Sequence, residues 1–266
     1  MQPKTDLVFF RSLAVPKPTN TSQRPVHKFE NPIFSWEDLP ALAVEPNALL
    51  KKRVVAHDPS RPEAEEFSVL RTKILLEIRK HGWRRIAITS PSRGCGKSFV
   101  SANLAISLSS HPDIRTVLLD MDLRRPSLNN YFGIETPNSV SDALTGMISV
   151  SEVLNRIGPR LAIGVGANSL ENTGAILSSA ATGKVIAQIE TNYNPDIIIF
   201  DTPPMNNLDD MLSLFSNTDA VLLLVGGGLS TQEETETAKE LIEQHSNLLG
   251  IVLNKSHKNA SSKYLY

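Results

Sequence analysis

The run Ile86-Ala-Ile-Thr-Ser-Pro-Ser-Arg-Gly-Cys-Gly-Lys-Ser98 constrains this chain more than any other stretch. Its apolar, β-branched start has the character of a strand, and it flows into a glycine-bearing loop ending in Gly96-Lys97-Ser98. Such a loop cradles phosphate. Gly94 and Gly96 let the backbone turn its N–H groups inward, Lys97 can reach β- and γ-phosphates, and the Ser98 hydroxyl can ligate Mg²⁺. The following Ser98-Phe-Val-Ser-Ala-Asn-Leu-Ala-Ile-Ser-Leu108 reads as a helix whose positive dipole end faces the same ligand. The expected nucleotide-binding stretch is therefore Ser92, Arg93, Gly94, Cys95, Gly96, Lys97, Ser98 and Phe99. Pro91 stands where the usual pattern has its first glycine.

Two further motifs each close an apolar run. In Thr116-Val-Leu-Leu-Asp-Met-Asp-Leu-Arg-Arg-Pro126, alternation along an extended strand sends Asp120, Asp122 and Arg124 to one side. Carboxylates so placed repel unless a cation or proton lies between them, which suggests a metal site or a proton acceptor. In Asp196-Ile-Ile-Ile-Phe-Asp-Thr-Pro-Pro204, a strand suited to burial on both faces ends at Asp201. An aspartate there can hold the water shell of Mg²⁺ beside the phosphates, and Pro203 and Pro204 stop the strand.

Strand-like runs recur near 86–89, 117–119, 161–165, 197–200, 220–225 and 250–253. Helix-like segments lie at 63–80, 97–108, 149–156, 174–189, 211–217 and 232–245. Strand alternating with helix implies an α/β fold, a mostly parallel central sheet flanked by helices on both faces, with ligands beyond the carboxyl ends of the strands. All three motifs sit at such ends. Nine of the 17 prolines fall within residues 1–62. We therefore expect a proline-rich arm over 1–60, partly extended or disordered, a phosphate-loop domain over 61–255, and a flexible tail with tyrosines over 256–266.

The 27 basic and 28 acidic side chains argue against a general nucleic-acid binder. No apolar run reaches the roughly 18–20 residues that a membrane helix requires. With Cys95 as the only cysteine, no internal disulfide can form, and a cytoplasmic location is expected.

As an ordered set, Gly96-Lys97-Ser98, Asp120-Met-Asp122-Leu-Arg124-Arg-Pro126 and Phe200-Asp-Thr-Pro-Pro204 resemble the Walker A, A′ and B motifs of bacterial protein-tyrosine kinases. These are the autokinases of capsule and exopolysaccharide export, related to the ParA and MinD partitioning ATPases. Glu66-Phe-Ser-Val-Leu-Arg-Thr72, Ser141-Asp-Ala-Leu-Thr-Gly146 and Gly250-Ile-Val-Leu-Asn254 extend the likeness. The resemblance implies a P-loop NTPase fold and transfer of the ATP γ-phosphoryl group to tyrosines of the C-terminal tail, between neighbouring subunits. It further implies Lys97 on the phosphates, Ser98, Asp120 and Asp201 on Mg²⁺, Asp122 as acceptor of the tyrosyl proton with Arg124 in the catalytic group, and Asn254 at the purine. Tyr264 and Tyr266 are the expected phosphoacceptors. It implies self-association and a membrane-anchored polysaccharide co-polymerase as adaptor, which would recruit the protein to the inner face of the cell membrane.

Four positions depart from the family pattern. The tail has two tyrosines rather than a longer run; Ser68 replaces an arginine in Glu65-x-x-Ser68-x-x-Arg71; Asn172-Thr-Gly-Ala-Ile-Leu177 lacks a proline and a carboxylate; and Cys95 replaces a glutamate. Two other readings use the same residues: a ParA/MinD-like ATPase without kinase activity, disfavoured by Ser92 where those relatives carry a lysine, and a nucleotide-binding regulator that transfers nothing.

Overall fold

A computed structural model describes residues 8–10 and 34–256. Its strands are β1 (Val8–Phe10), β2 (Arg85–Thr89), β3 (Thr116–Asp120), β4 (Leu154–Ile157), β5 (Leu161–Gly164), β6 (Ile197–Asp201), β7 (Ala220–Gly226) and β8 (Asn247–Asn254). They form one sheet in the order β1-β8-β7-β2-β6-β3-β5-β4. The six inner strands are parallel, and β1 and β4 pair antiparallel at the two edges. Helices α1 (Pro46–Lys51) and α2 (Pro62–His81) precede β2, and α3 (Lys97–Ser109) follows it. Between β3 and β4 lie α4 (Leu128–Phe132), α5 (Val140–Leu144) and α6 (Val150–Val153); α7 (Thr173–Leu177) and α8 (Ala180–Tyr193) lead into β6. The remaining helices are α9 (Leu208–Phe215) and α10 (Gln232–His245).

The central strands are buried on both faces, and strand alternation sorts their side chains between two cores. Ile86, Ile88, Leu118, Ile197 and Ile199 join the core that contains Phe67, Leu70 and Leu104 from α2 and α3. Ala87, Val117, Leu119, Ile198 and Phe200 face the opposite core, with Ile186, Ile189 and Met211 of α8 and α9. By the same parity, Asp120 and Asp201 project toward the α3 layer. The fold thus aims both carboxylates at the helix that the phosphate loop opens.

The six inner strands and the long helices follow the pattern expected from the sequence, and three segments do not. Residues 149–156 are a single turn, α6, running into β4: the capping box of Ser149 and Glu152 starts a helix. Leu154–Ile157 then pairs with Leu161–Gly164 across the turn at Gly158, where φ is +62°. Residues 174–189 are two helices, because the Ser179 side chain accepts from Thr182 N–H and caps a new one. The third difference is the arm. From residue 34 onward it belongs to the folded body: Trp36, Leu39, Leu49 and Val54 are buried, and the Trp36 ring meets Tyr193 edge-on at 6.5 Å. Proline-rich sequence here reflects a chain that follows a surface without repeating, as in Arg156 N–H donating to Pro40 O and Leu42 N–H to Arg156 O, both 2.7 Å.

Candidate functional site

The phosphate loop joins β2 to α3, with Gly94 and Gly96 both left-handed at φ +85° and +95°. Gly96 is required twice over. A Cβ on it would lie 2.4 Å from the Asn254 amide nitrogen, quite apart from the strain of its φ. Ser92 contributes its carbonyl, which accepts from the Ser90 hydroxyl at 2.6 Å. Cys95 turns its side chain inward and buries it, so the thiol is part of the loop's support rather than of the cradle. A glutamate in that pocket would meet Gly226, whose own added Cβ would already lie 3.2 Å from the sulfur.

Register places Asp120 directly beside Asp201 on adjacent parallel strands. Each has one oxygen engaged and one bare. Asp120 Oδ2 accepts from Ser127 and Leu128 N–H at 2.8 and 3.0 Å, and Asp201 Oδ1 accepts from the Ser101 hydroxyl at 3.0 Å. Asp120 Oδ1 and Asp201 Oδ2 are buried without a hydrogen-bond partner. Burial raises both pKa values, Asp120 to about 8 and Asp201 to about 6; the Asp201 charge adds to the rise at Asp120 and the Asp122 charge to that at Asp201, while Lys97 and then Ser98 pull Asp201 back down. Two adjacent buried carboxylates, each with an unused oxygen, are a donor set for a hard divalent cation. Ser98 stands with them, its hydroxyl bonded to Ser127 Oγ at 2.7 Å. Among the described residues no three His, Cys, Asp or Glu side chains form a metal cluster, so this is a site that needs water and phosphate oxygens to complete it.

Asp122 lies beyond the pair, half-buried and near Lys97 and Arg93. Burial raises its pKa, and the Lys97 and Arg93 charges act against that rise. Arg124 is placed differently from the expectation of a catalytic group. Its Nε and Nη2 reach Asp210 of α9 at 2.7 and 3.3 Å, and Asp210 also accepts from Thr173 of α7 at 2.7 Å. Arg124 therefore ties the Asp120–Arg124 segment to two neighbouring helices. Asn254 also has a second duty: it donates to Cys95 O at 2.7 Å and accepts from Lys255 N–H, which leaves one amide hydrogen and one lone pair for a ligand. Tyr264 and Tyr266 lie outside the described residues.

A cavity of about 440 Å³ opens over the loop, lined by Gly94, Gly96, Lys97, Ser98, Phe99 and Asn254.

The ParA family profile described as NUBPL iron-transfer P-loop NTPase matches residues 83–263. The tyrosine-protein kinase CpsD of Streptococcus agalactiae is 31% identical over 201 residues, covering 74% of this chain and 86% of CpsD. The chain belongs to this family of bacterial tyrosine-protein kinases, within the ParA-type P-loop NTPases. It spans only 28% of another relative, the putative tyrosine-protein kinase EpsB of Ralstonia solanacearum, at 30% identity over 79% of this chain. The kinase domain of the Escherichia coli tyrosine kinase ETK superposes with a TM-score of 0.72 at 25% identity, covering 86% of this chain and 93% of that one. Membership of the ParA-type P-loop NTPases implies nucleotide binding by this chain.

Several residues that the structure gathers around the loop and the aspartate pair escaped sequence reasoning. Ser101 is one helical turn beyond Lys97, and 3.6-residue periodicity could have found it. Ser127 directly follows the second motif, which ends at Pro126. Lys52, Arg53, Tyr131 and Lys255 also line the cavity, and no motif marks them. Among the described residues no helix is long and apolar enough to cross a membrane.

Proposed function

We propose that this chain is an ATP- and Mg²⁺-dependent protein-tyrosine autokinase that phosphorylates Tyr264 and Tyr266 in the tail of a neighbouring subunit. The observation that carries the reading is the adjacency of Asp120 and Asp201, each with a bare buried oxygen, beside a loop that ends in Lys97 and Ser98. A bound Mg²⁺ would neutralise charge on the β- and γ-phosphate oxygens, held by Ser98, Asp120 and Asp201. Lys97 offsets the same charge from the protein side. Asp122 accepts the phenolic proton as the tyrosyl oxygen bonds to the γ-phosphorus and the bond from that phosphorus to the β–γ bridging oxygen breaks, releasing ADP, a role suited to a carboxylate whose affinity for protons burial has raised. Arg124 holds that segment in place through Asp210.

The wider reading is regulation of capsule or exopolysaccharide polymerisation from the inner face of the membrane, through a membrane-anchored polysaccharide co-polymerase as adaptor. The glutamate–arginine assembly motif weighs on the contact between subunits. Arg71 points inward, donating to Ser107 O at 3.0 Å and Ser110 Oγ at 2.8 Å, and Ser68 bonds its own helix. Self-association, on this reading, uses other groups.

The test is intact-mass analysis of wild type, Lys97→Met and Asp122→Asn after ATP and Mg²⁺, with and without candidate adaptor fragments. The expected result is added phosphate on the last three residues in wild type alone. ATP hydrolysis without tail phosphate selects the ATPase reading, and binding without either selects the regulator.

A further inference from the structure

The nucleotide cavity takes one wall from a part of the chain that carries none of the motifs. Between α1 and α2 the chain passes through Lys52 and Arg53, and both line the cavity with Gly96, Lys97 and Ser98. Three observations single out Arg53. Its φ is +61°, a conformation that is costly for a residue with a long side chain. Among the described residues four non-glycines have positive φ: Arg53, Asn172, Asn194 and Lys255. Asparagine tolerates that region. The other two are both cationic, and both line this cavity.

The strained turn is also riveted to the helix of the phosphate loop. Asn103 of α3, fully buried, donates to Arg53 O at 3.2 Å and to Phe99 O at 2.9 Å, and accepts from Val55 and Ala56 N–H at 2.7 and 3.0 Å. All four hydrogen-bonding positions of its carboxamide are spent on this junction. The third observation is orientation. The Arg53 guanidinium lies 5.6 Å from the centre of the Phe99 ring, which itself meets Phe67 edge-on at 5.7 Å. A charge held over the first turn of α3 by a stacked ring, on a backbone held in an unfavourable conformation, is a preorganised anion contact. Lys52, Arg53, Lys97 and Lys255 line the cavity together.

We propose that Arg53 is a nucleotide-binding residue, its guanidinium bonding the phosphate next to the nucleoside. Arg93 and Arg124 line a separate hollow with Asp209 and Asp210, and Arg93 is among the charges that act on Asp122, which the proposed function puts at the γ-phosphate end. Arg53 is absent from that hollow and shares its cavity with Phe99, Tyr131 and Asn254, the last being the expected purine contact. Residues 52–56 are on this view a fixed wall of the nucleotide site.

The inference rests on the nucleotide reading of the cavity, and the experiment separates the two. Methylanthraniloyl-ADP and methylanthraniloyl-ATP are titrated with Mg²⁺ into wild type, Arg53→Ala, Arg53→Lys and Arg53→Gly, and the thermal unfolding midpoint of each ligand-free protein is measured. The expected result is a loss of about tenfold or more in affinity for both nucleotides in Arg53→Ala and Arg53→Gly, with partial recovery in Arg53→Lys. Arg53→Gly is the decisive variant. Glycine relieves the positive φ, so its midpoint is expected to equal or exceed that of wild type while its affinity falls. Wild-type affinity in Arg53→Gly, or a loss confined to ATP, overturns the proposal and leaves the nucleotide reading standing. A wild type that binds neither nucleotide overturns both.

Discussion

The Asn254 side chain donates its amide to the carbonyl of Cys95, 2.7 Å away, so the last residue of the last strand braces the middle of the phosphate loop. Asn254→Ala would leave that carbonyl without its partner, at a cost of about 1–3 kcal/mol. Gly96→Ala should cost more, since its Cβ would lie 2.4 Å from the same amide and its φ would remain +95°. In the double variant the clash disappears and the strain persists. Denaturant unfolding of the four proteins should therefore show favourable coupling, the double variant being more stable than the sum of the two losses predicts.

Asp210 is almost completely buried, whereas Arg124 is 38% exposed. Removing Arg124 leaves a carboxylate with only Thr173 beside it. Loss of a partner in a fully buried pair costs about 3–5 kcal/mol, but solvent at the Arg124 end reduces the figure here to about 1–3 kcal/mol. Arg124→Ala is expected to lose that much stability, measured by denaturant titration, and Asp210→Asn in the same background to recover part of it by removing the stranded charge.

The Asp120–Asp201 pair gives the ligand-free protein a pH dependence of definite sign. Both groups take up protons more readily in the fold than in the unfolded chain, where an aspartate titrates near 3.8. Between that value and about 8 the native state holds protons that the unfolded state has released, so stability falls as pH rises through this window. Unfolding midpoints between pH 5 and 8 should decline in wild type and flatten in Asp120→Asn. At pH 8 the variant is expected to be the more stable by about 1 kcal/mol or more. Added Mg²⁺ and ATP should reverse the wild-type slope, because the cation takes the place of the protons.

Trp36 is 1% exposed and packs against Tyr193, with the Arg115 guanidinium 5.6 Å from its ring centre. Because residues 34–56 are part of the body, Trp36→Ala opens a cavity and costs about 3–5 kcal/mol, read from the unfolding midpoint. A loss below about 0.5 kcal/mol, typical of surface positions, would mark this segment as dispensable.

Much of this site is written in short-range sequence, and the rest is not. Gly96-Lys97-Ser98 dictates its own loop, and parity along Val117-Leu118-Leu119-Asp120 and Ile197-Ile198-Ile199-Phe200-Asp201 is enough to send both aspartates to one side. Helix α10 spans the expected residues because Thr231 and Glu234 form a capping box at its start. By contrast, β4 was masked by the helical character of 149–156, since strand identity there comes from a partner, β5, on the far side of a turn. The docking of 34–56 was equally hidden, because Asn103 and Arg53 are 50 positions apart and no periodicity links them. Arg124 could be placed beside Asp122 by alternation, but its commitment to Asp210 depends on how α9 settles on the sheet.

The N-terminal sixty residues touch both rims of the sheet: Val8–Phe10 runs along β8, and Ala41 bridges to Arg156 at β4. A truncated chain beginning at the first long helix would bare a ladder of open amides and carbonyls at each flank simultaneously. Such a fragment should stack rim to rim into insoluble material, so the segment that looks most expendable by composition is the one that keeps the sheet's rims from pairing indiscriminately.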